Sequence, residues 1–163
     1  MSERVSSLDT HWHTFYMRMA LDQARLAAEV SEVPVGAVVV AGSGHILSLA
    51  HNAPRERQDP TAHAEILALR RAARAVKNYR LSRCALYVTL EPCLMCLGAM
   101  VHARLETLVF GAFDPKSGVT GGAVDLTSLP FLNHTLKVVG GVLAQESSRL
   151  LKSFFTERRR QCE

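Results

Sequence analysis

The sequence predicts one α/β domain, a three-layer α/β/α sandwich on a five-stranded mixed sheet. Three observations lead there. The middle of the chain reads strand, helix, strand, helix, strand, and such alternation pairs strands in parallel with helices on the sheet faces. Two short β-rich runs ahead of it are joined by a tight Gly-containing turn, the mark of an antiparallel hairpin. The 163 residues, 48% of them apolar, suit one core of ordinary size.

Taken in order, residues from about His11 to Glu29 form a helix, with Asp9 or Thr10 as cap and Met17, Ala20, Leu21, Ala24, Ala27 and Ala28 as its apolar side. Residues 1–10 form a polar leader, and 11–163 the domain. Pro34–Ala41 is a buried strand, Gly42-Ser-Gly44 a turn, and His45–Ala50 the returning strand. Residues 52–60 make a polar loop. Thr61–Lys77, rich in Ala, Leu and Arg, is helical by propensity. Cys84–Leu90 is a third strand, broken by Glu91-Pro92, and a helix runs from about Cys93 to Ala103. Thr107–Gly111 is the fourth strand, residues 114–128 a Gly-rich loop, and Leu136–Val139 the fifth strand. Leu143–Arg160 closes the chain as a helix with a basic end.

Composition narrows the function classes. The apolar and charged fractions exclude a disordered or collagenous chain, and no apolar run is long enough to span a membrane. The amino end lacks the apolar stretch of a secretory signal, so the expected compartment is the cytoplasm. A net charge of +4 permits a polyanionic partner without demanding one. Of the cysteines at 84, 93, 96 and 162, two are packed into Cys93-Leu-Met-Cys96, which points to metal or redox chemistry rather than a disulfide framework.

At a helix start, Cys93 and Cys96 share a face, and the positive helix end favours their thiolates. His63, in Thr61-Ala-His-Ala-Glu65, is the natural third ligand, because helix starts converge at the strand carboxyl ends of α/β folds. Cys84 and Cys162 are poorly placed as a fourth. Three protein ligands describe a catalytic zinc that keeps a position for water. Glu65 is not expected to chelate beside His63, since i and i+2 diverge on a helix, but from the first turn it lines the pocket and handles protons. The competing readings are ordinary ones: a packed or surface histidine, a redox Cys pair, a dipole-favoured Glu65, and a solvated face for Arg70, Arg71, Arg74 and Lys77.

His63-Ala-Glu65 followed by Pro92-Cys93-Leu-Met-Cys96 resembles the zinc-dependent nucleobase deaminases. Longer stretches, Glu32-Val-Pro-Val-Gly-Ala-Val38, Asp59-Pro-Thr-Ala-His-Ala-Glu-Ile66, Asn78-Tyr-Arg-Leu81, Leu86–Cys93 and Val109-Phe-Gly-Ala112, are similar to the bacterial deaminases that act on adenosine in tRNA. The likeness covers about His11 to Arg160.

That resemblance implies a cytidine-deaminase-like fold and hydrolysis of adenosine to inosine at the wobble position of a tRNA anticodon, chiefly that of an arginine tRNA. It implies one zinc ion per subunit on His63, Cys93 and Cys96, a homodimer, and contact with the anticodon arm. Water activated at zinc would attack C6 of adenine while Glu65 shuttles protons. Asn52 matches the family's substrate-binding asparagine, and Val33, Pro34, Ala64 and Leu90 would wall the base. Asp114, in Phe113-Asp-Pro-Lys116, matches a position near the flanking nucleotides, although Asp-Pro is also ordinary turn chemistry. Phe155 and Arg158 of the terminal helix would meet bases and phosphates, against the alternative that the Phe154-Phe155 pair packs inward. The leader and Phe113 depart from the commoner family pattern.

Overall fold

The structure is a computed structural model and describes residues 7–161. Its elements run α1 (Ser7–Glu29), β1 (Gly36–Ala41), β2 (Ile46–His51), α2 (Pro54–Arg57), α3 (Ala64–Val76), β3 (Cys84–Leu90), α4 (Leu94–His102), β4 (Thr107–Ala112), β5 (Lys137–Val139) and α5 (Ala144–Gln161). The five strands form one sheet in the order β2-β1-β3-β4-β5. The β1–β2 and β1–β3 pairs are antiparallel, and β3–β4 and β4–β5 are parallel. This is the expected mixed sheet.

Side-chain alternation along the strands divides the core in two. Leu86, Val88, Leu108 and Phe110 point into a cluster with Leu67, Leu69, Ala72 and Met100 from α3 and α4. Tyr87 and Val109, one residue out of step, point into a second cluster with Tyr16, Met17 and Ala20 of α1. Ser147 of α5 lies against Gly111 on that same face. The layers are therefore α3 with α4, the sheet, and α1 with α5. Gly36 lets α1 lie directly on β1, since any Cβ there would collide with the Ala20 carbonyl oxygen.

Most element boundaries shift by a residue or two from the sequence expectation, and three departures are larger. α1 begins at Ser7, taking four residues of the polar leader. Asp9 and Thr10 lie inside the helix instead of capping it. α3 begins at Ala64, three residues late, because the Asp59 carboxylate accepts hydrogen bonds from the Thr61 N–H and hydroxyl and bends residues 59–63 into a loop. The loop after β2 contains the single turn α2, whose start is held by a buried side chain: Glu32 Oε1 accepts the N–H groups of Arg55 and Glu56, both at 2.8 Å. No helix among the described residues is long and apolar enough to cross a membrane. Cys162 lies outside the described residues.

Candidate metal centre

Two chain segments build the centre, and both sit at N-caps. His63 precedes α3 with φ −67° and ψ 151°. Cys93 precedes α4 with φ −82° and ψ 174°. Neither side chain caps its own helix, so each is free to turn toward the other. One turn into α4, Cys96 joins them. Cys93 Sγ lies 3.7 Å and Cys96 Sγ 3.5 Å from His63 Nδ1, and the three ligand atoms all fall within 4.8 Å of one another.

Those spacings test the fit to zinc. A tetrahedral ion about 2.3 Å from sulfur and about 2.05 Å from nitrogen sets its S···N edges near about 3.6 Å. The observed 3.5 and 3.7 Å bracket that value. The electrostatics agree. Cys93 is lowered to about 4, first by the hydrogen bond from the Cys96 thiol and then by His63. Cys96 is pushed up by that same neighbour and by burial. Hydrogen bonding to Cys93 raises His63. The pair thus holds negative charge beside an imidazole, and a divalent cation would replace the protons they share. The residues fit a zinc ion.

Glu65 stands against this group without belonging to it. It is 4% exposed. Desolvation by burial raises its pKa to about 7, partly offset by its own backbone N–H and by His63. A carboxyl group tuned there gives and takes protons at neutral pH. The group that could hold a metal ion comprises His63, Cys93 and Cys96, without Glu65.

Asn52 turns its side chain to the start of α3. Its Oδ1 accepts the Ala64 N–H at 2.8 Å, which His63 leaves uncapped. That bond fixes the amide orientation and leaves Nδ2 as the donor the side chain can still offer. Ala64 and Cys96 are buried in the core cluster on the α3–α4 side of the sheet, and Val33, Leu90 and Cys93 pack against it. Pro34 is buried beside Val33.

Other residues stand apart. Asp114 folds its carboxylate into a local turn, with Oδ1 accepting the N–H groups of Lys116 and Ser117 and Oδ2 the Ser117 hydroxyl. Burial pushes this carboxyl up, but those bonds outweigh it and leave the pKa below its usual value. Phe155 and Arg158 lie on α5, in the opposite layer. Phe155 is exposed, while Phe154 is buried and carries the Arg158 guanidinium over its ring at 5.5 Å. The two phenylalanines thus divide, one inward and one outward.

One residue escaped sequence reasoning. Glu91 is 3% exposed, immediately before Pro92 and Cys93. Its Oε1 accepts from the Thr120 N–H at 2.8 Å, the Thr120 hydroxyl at 2.9 Å and the Gly122 N–H at 2.9 Å. Its Oε2 accepts the Asp114 N–H at 2.8 Å. A Cβ on Gly118 or Gly122 would collide with this carboxylate. Glu91 therefore ties the Gly-rich loop to the segment that carries two of the candidate ligands. The sequence signal was the run of small residues at 117–122, which only a partner in space explains.

The family of MafB19-like deaminases matches residues 11–159. A tRNA-specific adenosine deaminase of Haemophilus influenzae is 49% identical over 143 residues, spanning 88% of this chain and 83% of the relative. One from Bacillus subtilis is 46% identical over 145 residues, spanning 89% of each. A solved structure from work on A-to-I editing by tRNA:A34 deaminases at the wobble position superposes with a TM-score of 0.82 at 43% identity, covering 85% of this chain and 99% of that one. A guanine deaminase from Nitrosomonas europaea follows at TM-score 0.75 and 25% identity, covering 86% of this chain and 83% of its own. On its ligand geometry, its fold and these likenesses, the chain belongs to the MafB19-like deaminase family and, within it, to the tRNA-specific adenosine deaminases.

Proposed function

We propose that the chain hydrolyses adenosine to inosine at the wobble position of a tRNA anticodon, with one zinc ion per subunit on His63, Cys93 and Cys96. The observation that carries this reading is the buried Glu65 carboxyl set against a His–Cys–Cys group of zinc dimensions. Kinship with tRNA-specific adenosine deaminases supports the substrate. When bound, zinc supplies the acidity that makes water a nucleophile near neutral pH. Glu65 takes one proton from the attacking water and delivers it to N1 of adenine, then takes the second from the new C6 hydroxyl and passes it to the departing amine. The water oxygen bonds to C6, the C6–N6 bond breaks, and ammonia leaves.

The remaining side chains orient the base. Asn52 Nδ2, set by the Ala64 N–H, donates to a purine ring nitrogen. Val33, Pro34, Ala64 and Leu90 give a base flipped from the anticodon stack an apolar bed. Phe155 and Arg158 on α5 and the turn at Asp114 meet neighbouring nucleotides. Exposed Leu94, one residue beyond Cys93, and exposed Phe131 offer apolar surface to a second copy, in keeping with a homodimer.

The test offers the protein an anticodon stem-loop with a wobble adenosine and, separately, free adenosine, guanine and cytidine. Inosine should appear in the RNA alone, and metal analysis should return one zinc per chain. Turnover of a free base with inert RNA would move the chain to the small-molecule deaminases, whose fold it shares.

A further inference from the structure

The metal centre leaves unused the basic face of α3. Arg70, Arg71, Arg74 and Lys77 are exposed there, at helical spacing that puts them on one side. Of these, only Arg70 makes an ion pair among the described residues, with Asp59 at 3.8 Å. The helix starts beside His63 and runs 13 residues, so this face extends about 20 Å from the centre.

The charge does not stop where the helix does. Lys77 adopts the left-handed conformation that ends α3, and exposed Tyr79 and Arg80 follow. The Leu81 N–H donates to the Ala103 carbonyl and seats this loop against the end of α4. Arg80, Arg83 and Arg104 then line one cavity of about 500 Å³, together with His134 and a single carboxylate, Glu106. Tyr79 is 67% exposed, with the Arg80 guanidinium 5.5 Å from its ring centre.

The concentration of charge is the deciding observation. From Thr61 to Cys84 the chain carries six Lys and Arg side chains and one acid, Glu65, which is buried. That local excess is greater than the +4 of the whole molecule. A solvated helix face ordinarily interleaves both signs, whereas the exposed face of α3 carries a single sign along its length. Aligned arginines with an exposed aromatic among them suit a phosphodiester backbone.

We propose that α3 and the loop after it form a phosphate-binding track for the tRNA body, separate from the pocket that takes the target base. This rests on the reading of the chain as a tRNA deaminase. Arg74, Lys77 and Arg80 hold backbone phosphates beyond the anticodon loop. Arg83 and Arg104 receive the phosphate farthest from the centre, and Tyr79 packs on the sugar–base surface between them.

The experiment measures binding of full-length tRNA across a salt series, and deamination kinetics on the same RNA, for the wild type, R74Q/K77Q/R80Q and the control R18Q/R25Q on α1 in the opposite layer. Each lost phosphate contact lowers the slope of log K against log salt by about 0.7 to 0.9. The triple variant should lose about 2 from that slope, with KM raised about tenfold or more near ~0.1 M salt and kcat within about twofold of wild type. The control should match wild type. An unchanged slope and KM in the triple variant would overturn the track while leaving the deaminase reading intact, as would an equal loss in the control. Should the wild type deaminate only free bases, that reading falls, and the binding series alone decides whether the track holds tRNA.

Discussion

Two buried carboxylates stand at the same end of the sheet and do opposite work. Glu65 is 4% exposed and Glu91 3%. Glu91 accepts four hydrogen bonds from Asp114, Thr120 and Gly122, so its charge is answered by donors that would otherwise be orphaned. Glu65 accepts only from its own backbone N–H and the Cys96 thiol, and desolvation outweighs them and carries its pKa to about 7. Burial therefore does not by itself make a proton carrier. A carboxyl group is tuned toward neutral pH when desolvation outweighs the few hydrogen bonds it accepts, and holds architecture when several backbone donors converge on it.

The sharpest way to break that contrast is at Glu65. E65Q keeps the shape and removes the proton exchange, so inosine formation should fall by about 10² to 10⁴ or more while zinc content is unchanged. Retained turnover in that variant would remove Glu65 from the chemistry. Chelation comes next. Metal saturating its site a thousandfold above Kd contributes about 4 kcal/mol to the folded state. Stripped protein should therefore melt several degrees lower and lose activity, and both should return with added zinc. No change in melting would mean that the cluster holds no metal.

Glu91 should respond differently. E91Q turns an NH₂ group toward a backbone donor, costing about 1 to 3 kcal/mol. Amide exchange at Asp114, Thr120 and Gly122 should quicken, with turnover reduced far less than in E65Q. G122A should act in the same direction, since its Cβ meets the same carboxylate. An E91Q loss as deep as that of E65Q would erase the distinction between the two carboxylates. The smallest effect belongs to Asp114. Its folded pKa is lowered, so its contribution is present above the ordinary carboxylate value and fades as pH falls through the lower folded one. Water screens the group, and the loss should register only as faster amide exchange at Lys116 and Ser117 in acid, absent in D114N.

Much of the molecule was legible in order along the chain. β3 came out residue for residue, because β-branched and apolar residues fill Cys84–Leu90 and Glu91-Pro92 stops it. The grouping of His63 with Cys93 and Cys96 was legible because Cys-x-x-Cys at a helix start and a histidine at the preceding one each carry a local signal. α3 was read three residues early, since propensity cannot register the Asp59 side chain bending the chain beneath it. Glu91 and the second role of Asn52 were invisible for a related reason. The partners of Glu91 lie 23 to 31 residues away, and that of Asn52 12 away.

The sequence by itself determined the layers, the hairpin, the His–Cys–Cys set and the basic run on α3, because periodicity, turn chemistry and charge are properties of neighbours along the chain. Only the tertiary structure decided the 3.5 and 3.7 Å spacings around His63, the dry surroundings of Glu65, and the seating of Arg104 beside Arg80 and Arg83. Distance, desolvation and convergence of charge arise between residues far apart in sequence, and they take values only once the sheet has brought them together.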